Sequence, residues 1–205
     1  MDLIRVECLL MTDEKAKKGF GWPLVAGLAA VATLALVLYG VVLPYFGLLR
    51  SDDEIRDAAM GEYAPFLRQA DKLELYSLVP SPHRDPDGNR IDPDPKKTFH
   101  AYYIYGKIEI TDPDRMDQVR TAVHQSVTTE SNTSKYMCFN PRHGVRAYRN
   151  GEVRDYLICF ECASMAMFPA ADAESSSDVY LGSPKFAKVL NSMLDANGIK
   201  RNLPQ

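Results

Sequence analysis

Apolar residues fall along this chain in three rhythms: an unbroken run near the start, alternation through the middle, and spacings of three and four near the end. The run is Gly19 to Leu49, 31 residues without a charge. A helix rises about 1.5 Å per residue and a bilayer core is about 30 Å thick, so roughly 20 apolar residues suffice to cross it. Leu24 to Leu43 supplies that many. Pro23 and Pro44 mark the ends, and Trp22, Tyr39 and Tyr45 stand where amphipathic rings favour an interface. The pattern predicts a transmembrane helix over 19–49. Arg5, Lys15, Lys17 and Lys18 before it outweigh Arg50 and Arg56 after it, so residues 1–18 are expected in the cytoplasm and 50–205 outside. The expected localisation is a single-pass cell-membrane protein, with the membrane as partner through 19–49. Met11, followed by a short basic lead, is an alternative start that would remove Cys8.

Beyond the run the rhythm changes. Ser51 and Glu54 have capping-box spacing, which predicts a juxtamembrane helix over 50–71, limited or restarted at Pro65. Leu73 to Val79 alternates as a strand. Pro80 to Pro95 holds five prolines with Asp-Gly and Gly-Asn, and predicts an exposed proline-rich loop over 80–97. Phe99 to Ile110 reads as one strand, with Tyr102, Ile104, Ile108 and Ile110 on a single face. Thr111-Asp112-Pro113 opens a helix on which Met116, Val119, Val123 and Val127 recur at helical spacing. Ser183-Pro184 opens another, with Phe186, Val189, Leu190, Met193 and Leu194 as its stripe and Asn197-Gly198 as its stop.

Between these helices, Asn150-Gly151 tolerates the positive φ of a type I′ turn and so fixes a hairpin register. Arg149 then faces Glu152, Tyr148 meets Val153, Arg146 meets Asp155, and Val145 meets Tyr156. These opposite-charge and aromatic-aliphatic pairs stabilise antiparallel ladders. The same register constrains the cysteines. If the strand runs unbroken, Cys159 and Cys162 point to opposite faces with Cα atoms about 10 Å apart, too far for a disulfide. A one-residue bulge near Pro141 instead brings Cys138 opposite Cys162, making Cys138–Cys162 the expected disulfide and leaving Cys159 free.

Other uses of these residues stay open. Cys138, His143, Cys159 and Cys162 carry the thiolate and imidazole donors of tetrahedral zinc, which makes them a candidate metal or thiol site. The register sets His143 opposite Ile158, on the other face from Cys159, which disfavours a Cys-His nucleophile pair. Asn140, Arg142 and His143 form a candidate binding turn able to hold a carboxylate or phosphate. No catalytic residue and no cofactor other than zinc is indicated.

Composition narrows the partners. The chain has 24 basic and 27 acidic residues; four of each precede residue 50, leaving 20 and 23 in the folded part. With no basic run, nucleic acid is not an expected partner, whereas a protein partner is compatible.

Cys138-Phe139-Asn140-Pro141-Arg142-His143-Gly144 followed by Ile158-Cys159-Phe160-Glu161-Cys162 resembles the paired CFxPRHG and ICFEC motifs of uncharacterised bacterial membrane-associated or secreted proteins. The resemblance spans about Tyr102 to Phe168 and implies that the cysteine hairpin is the family's signature element. It carries no activity with it. The expected fold class is α+β: the transmembrane helix, then one extracytoplasmic domain over 72–205. That domain is an antiparallel sheet of about five strands with about two helices on one face, in the order strand, strand, helix, three strands, helix. The expected function is an anchored cell-envelope interaction or structural module rather than an enzyme, the alternative being a metal-binding or thiol-active hairpin.

Overall fold

The computed structural model describes residues 22–42, 50–92, 94–130 and 138–201. It divides the chain into two units, Met1–Arg50 and Ser51–Gln205. In the first unit α1 spans Trp22–Val37, and its hydrogen bonding passes into a π-helical turn at Leu38–Val42. Among the described residues, no helix is long and apolar enough to cross a membrane. The α-helical ladder stops after 16 residues, about 24 Å and short of the hydrocarbon thickness. This overturns the transmembrane helix over 19–49 and, with it, the single-pass membrane location and the sides assigned to 1–18 and 50–205. Met11, Cys8 and the outer parts of the expected span lie outside the described residues.

The second unit corrects the expected fold class as well. Its centre is a curled half-barrel of seven antiparallel strands rather than about five. The strands are β1 (Lys72–Pro82), β2 (Thr98–Phe99), β3 (Tyr102–Ile110), β4 (His143–Arg149), β5 (Glu152–Cys159), β6 (Ser164–Phe168) and β7 (Ser177–Tyr180). They lie in the order β2-β3-β1-β4-β5-β6-β7. The helix expected over 50–71 is two, α2 (Asp52–Met60) and α3 (Tyr63–Arg68), broken at Gly61 with φ +57. Ser51 and Glu54 form the capping box that their spacing announced. The remaining helices are α4 (Pro113–Ser126), capped by the Asp112 side chain, and α5 (Ala187–Ala196), which follows a short 3-10 turn at Pro184–Phe186.

The hairpin register is found as its turn residues dictate: Arg149 pairs with Glu152, Tyr148 with Val153, Arg146 with Asp155, Val145 with Tyr156 and His143 with Ile158. The single strand expected over 99–110 is instead a hairpin. His100, at φ +54, reverses the chain so that Phe99 pairs with Tyr102. A register shift against β1 between Ser77 and Leu78 then switches the facing of β3. Ile108 and Ile110 therefore join one core, while Tyr102 and Ile104 join the other.

Alternation along the strands divides the sheet into two unlike faces. One carries Leu73, Leu75, Val145, Ala147, Tyr156, Ile158, Met165 and Met167, all buried under residues from α2 to α5. Burying each Leu, Val, Ile or Met of this set contributes about 1.5–3 kcal/mol, and this is the larger of the two apolar clusters. The other face has a smaller apolar cluster, with Tyr76, Leu78, Phe99 and Leu157 at its centre. It also carries the buried polar residues Glu74 and Asp155.

Candidate functional site

Strand β5 ends at Cys159, and Phe160 to Ala163 turn the chain into β6. The turn brings the Cα atoms of Cys159 and Cys162 to 5.2 Å, and Ala163, at the left-handed φ of +48, leads the chain on into β6. The disulfide is therefore Cys159–Cys162, not Cys138–Cys162. The expectation assumed an unbroken strand through Phe160 and Glu161, and that assumption fails because the reversal falls on those residues. Cys138 is nevertheless brought to the same place: its Sγ lies 3.6 Å from that of Cys162. It is a free, exposed thiol, whereas both bonded cysteines are 1% exposed.

Backbone donors surround this sulfur cluster. The Cys162 N–H donates to Cys159 Sγ at 3.1 Å, and the Asn140 N–H donates to Cys162 Sγ at 3.3 Å. The turn is pinned from outside by Arg142, which donates through Nε and a terminal nitrogen to both Glu161 oxygens at 3.0 and 3.2 Å.

His143 does not join the sulfurs. It sits on the helix-covered face, 5% exposed, where its Nε2 donates to Asn191 Oδ1 at 2.8 Å and the Phe160 ring meets it edge-on at 5.6 Å. Burial pushes its pKa down to about 4, aided by the nearby charges of Arg201 and Arg142 against the Asn191 hydrogen bond. The imidazole is neutral. Its Nδ1 is buried without a partner among the described residues. A zinc ion on Cys138, His143, Cys159 and Cys162 does not fit this arrangement, since two of the thiols are joined and the imidazole lies across the sheet. Among the described residues, no group of three or more His, Cys, Asp or Glu side chains is placed to hold a metal ion. The candidate binding turn can be placed as well. Asn140, Arg142 and His143 all line a cavity of about 460 Å³, with Phe160, Asn191 and Arg201.

A second, larger concavity of about 970 Å³ lies on the opposite face, and Cys138 and Phe139 form part of its wall. Its floor holds a charged network that the sequence did not announce as a site. Asp155, fully buried, accepts from Arg146 Nε and a terminal nitrogen at 2.8 and 2.7 Å and from His100 Nε2 at 3.0 Å. The His100 ring stacks on Phe168 at 3.8 Å. Along the same face Glu74, 4% exposed, accepts from Tyr76 Oη at 2.5 Å, Lys107 Nζ at 2.6 Å and Tyr148 Oη at 2.7 Å. Burial works against the Glu74 charge, yet these three donors together hold its carboxyl below the usual range. Tyr148 is pushed up to about 12, first by burial and then by its bond to Glu74.

Gly144 has a packing role here. A Cβ at that position would stand 2.7 Å from the Phe99 ring, which lies against the sheet and next to His100. The Arg146 to Asp155 pair was visible in the hairpin register. The contribution of His100 was not, because it comes from a turn that the alternation of residues 99–110 concealed. No protein-family model, curated protein or solved structure matches the chain.

Proposed function

We propose that the domain is a thiol–disulfide exchange module in which Cys138 passes the Cys159–Cys162 disulfide to the surface. The observation that carries this reading is the 3.6 Å separation of an exposed thiol from a buried disulfide sulfur, close to the ~3–3.5 Å of a near-attack geometry. Cys138 loses its proton to solvent, and its thiolate attacks Cys162 Sγ. A Cys138–Cys162 bond forms, the Cys159–Cys162 bond breaks, and the electron pair leaves on Cys159, whose thiolate accepts the Cys162 N–H. No net oxidation has occurred, but the disulfide now includes an exposed sulfur.

A substrate dithiol then completes the transfer. Its first thiolate attacks Cys138 Sγ and releases Cys162 as thiolate; its second attacks the substrate sulfur of the mixed disulfide and releases Cys138. The substrate leaves oxidised by two electrons, three protein thiols remain, and a small disulfide such as oxidised glutathione restores the starting bond. The paired CFxPRHG and ICFEC motifs supply all three sulfurs, so the resemblance and the chemistry fall on the same residues. An interaction role, the other reading of the domain, draws support from the cavities that flank the hairpin.

The test is kinetic. The oxidised full chain is mixed with dithiothreitol, and appearance of the Cys159 and Cys162 thiols is followed by quenched alkylation and mass spectrometry. Cys138→Ser is expected to slow their appearance by at least about tenfold, since the remaining sulfurs are buried. An unchanged rate would refute the relay and leave a static structural bond.

A further inference from the structure

The 970 Å³ concavity lies on the face of the sheet opposite the helices, between the turn at His100 and Ala101 and the loop from β6 to β7, with the exposed Cys138 in its wall. Its volume is near the top of the ~300–1,000 Å³ of ligand sites, room for a short stretch of peptide. Half-buried Ala101, Phe139 and Phe168 and exposed Ala171 give it an apolar lining.

His100 adds a polar atom to that lining. Its Nε2–H donates to Asp155 at 3.0 Å, and with that proton committed the neutral ring offers Nδ1 as an acceptor. The side chain is 10% exposed and lines the concavity. Among the described residues Nδ1 has no hydrogen-bond partner, yet the buried side-chain atoms left without one are Arg120 Nε, His143 Nδ1 and Arg154 Nε. Nδ1 therefore retains accessible surface. It calls for an N–H or O–H donor, and every peptide backbone supplies one.

Charge narrows the ligand further. Among the described residues lining the concavity Arg146 is the only Lys or Arg, and Asp155 already holds it by two bonds. The loop from β6 to β7, by contrast, brings exposed Asp172, Glu174 and Asp178 to the rim. Asp178 accepts from Ser176 Oγ at 3.2 Å, whereas Asp172 and Glu174 form no ion pair with the described residues. This excess of negative charge favours a cation and disfavours an anion.

We infer that the concavity binds the substrate of the thiol exchange, and that this substrate is a cysteine-bearing peptide segment with an apolar side chain and a basic residue beside its thiol. The apolar side chain lies against Phe139 and Phe168, a backbone N–H donates to His100 Nδ1, the basic residue meets Asp172 and Glu174, and the thiol reaches Cys138. The inference rests on the relay for what Cys138 does to the segment, but the binding itself needs no reaction.

Thiol-free probes therefore test it on the full chain: the acetylated, amidated tetrapeptides Phe-Ser-Gly-Lys, Phe-Ser-Gly-Glu and Gly-Ser-Gly-Lys. In calorimetric titration Phe-Ser-Gly-Lys is expected to bind at least about fivefold more tightly than its Glu counterpart, the scale of one or two exposed ion pairs. It is expected to bind at least about tenfold more tightly than the peptide without Phe, the scale of burying that ring. Asp172→Asn combined with Glu174→Gln, both on an exposed loop, is expected to bring the Lys and Glu peptides to equal affinity, with an unchanged circular dichroism spectrum. Saturating Phe-Ser-Gly-Lys is expected to slow alkylation of Cys138 by iodoacetamide at least about fivefold, because a covered thiol reacts slowly. Equal affinity of the Lys and Glu peptides for the wild type, a preference that survives the double substitution, no gain from Phe, or alkylation of Cys138 at its free rate would each overturn the inference. Charge-selective binding that protects Cys138, found together with a dithiothreitol reduction rate unchanged in Cys138→Ser, would uphold the peptide site and refute the relay alone.

Discussion

The cysteine hairpin buries Asp155 on one face of the sheet and His143 on the other, and the two are treated in opposite ways. On the open face Asp155 has no exposed surface, yet both of its oxygens are taken by Arg146 and His100. On the helical face His143 is kept neutral, with one nitrogen on Asn191 and the other without a partner among the described residues. A buried charge is tolerated when its hydrogen bonds are complete, whereas a neutral group can leave one site open. The open face thus invests in a closed polar network with a cavity above it. The helical face relies on aliphatic packing around a neutral imidazole.

The contrast breaks most sharply at Asp155. Asp155→Ala strands the Arg146 guanidinium and removes the partner of His100, and should lower unfolding free energy by about 3–5 kcal/mol. Urea denaturation followed by circular dichroism measures it. A loss below about 1 kcal/mol, the range of an exposed pair, would mean that the network does not hold the open face together.

His143 gives the next effect, through pH. In the fold it takes up a proton only near pH 4, whereas the unfolded imidazole does so near 6.5. Between those values the unfolded state binds more protons, so its contribution is whole above about pH 6.5 and is lost as the pH falls toward 4. The loss amounts to about 3 kcal/mol over that window. His143→Gln should flatten that part of the stability profile, and a variant that tracks the wild type from pH 7 to 4 would contradict the neutral, buried imidazole. Glu74 acts in the same direction at lower pH: its carboxyl is held below the ordinary range, so its contribution is lost as acid finally protonates it.

How much of this could be read from the chain follows from where the local chemistry was unambiguous. Asn150-Gly151 has one strongly favoured turn, and its flanking pairs agree with it, so the register of β4 and β5, including the Arg146 to Asp155 pair, was legible. The caps at Ser51 and Asp112 were equally plain. Phe160 and Glu161 carry no turn signal, yet the chain reverses on them and leaves the turn through Ala163 at φ +48, a conformation that no alanine announces. The disulfide was assigned to Cys138 and Cys162 for that reason, whereas the two sulfurs are only neighbours, 3.6 Å apart. His100 at φ +54 hid a hairpin within an alternating run in the same way, and with it the third member of the Asp155 network. In the first unit, the length of the uncharged run exceeded that of the α-helical ladder, which gives way to π hydrogen bonding at Leu38. Composition measured the run but not where the helix changes.

The proximity of three sulfurs is tested most directly by removing the one that the relay displaces. In oxidised full-length Cys159→Ser, peptide mapping without reduction should find Cys138 joined to Cys162, because the two sulfurs already stand 3.6 Å apart. Recovery of Cys138 and Cys162 as separate free thiols after exposure to oxidised glutathione would contradict it.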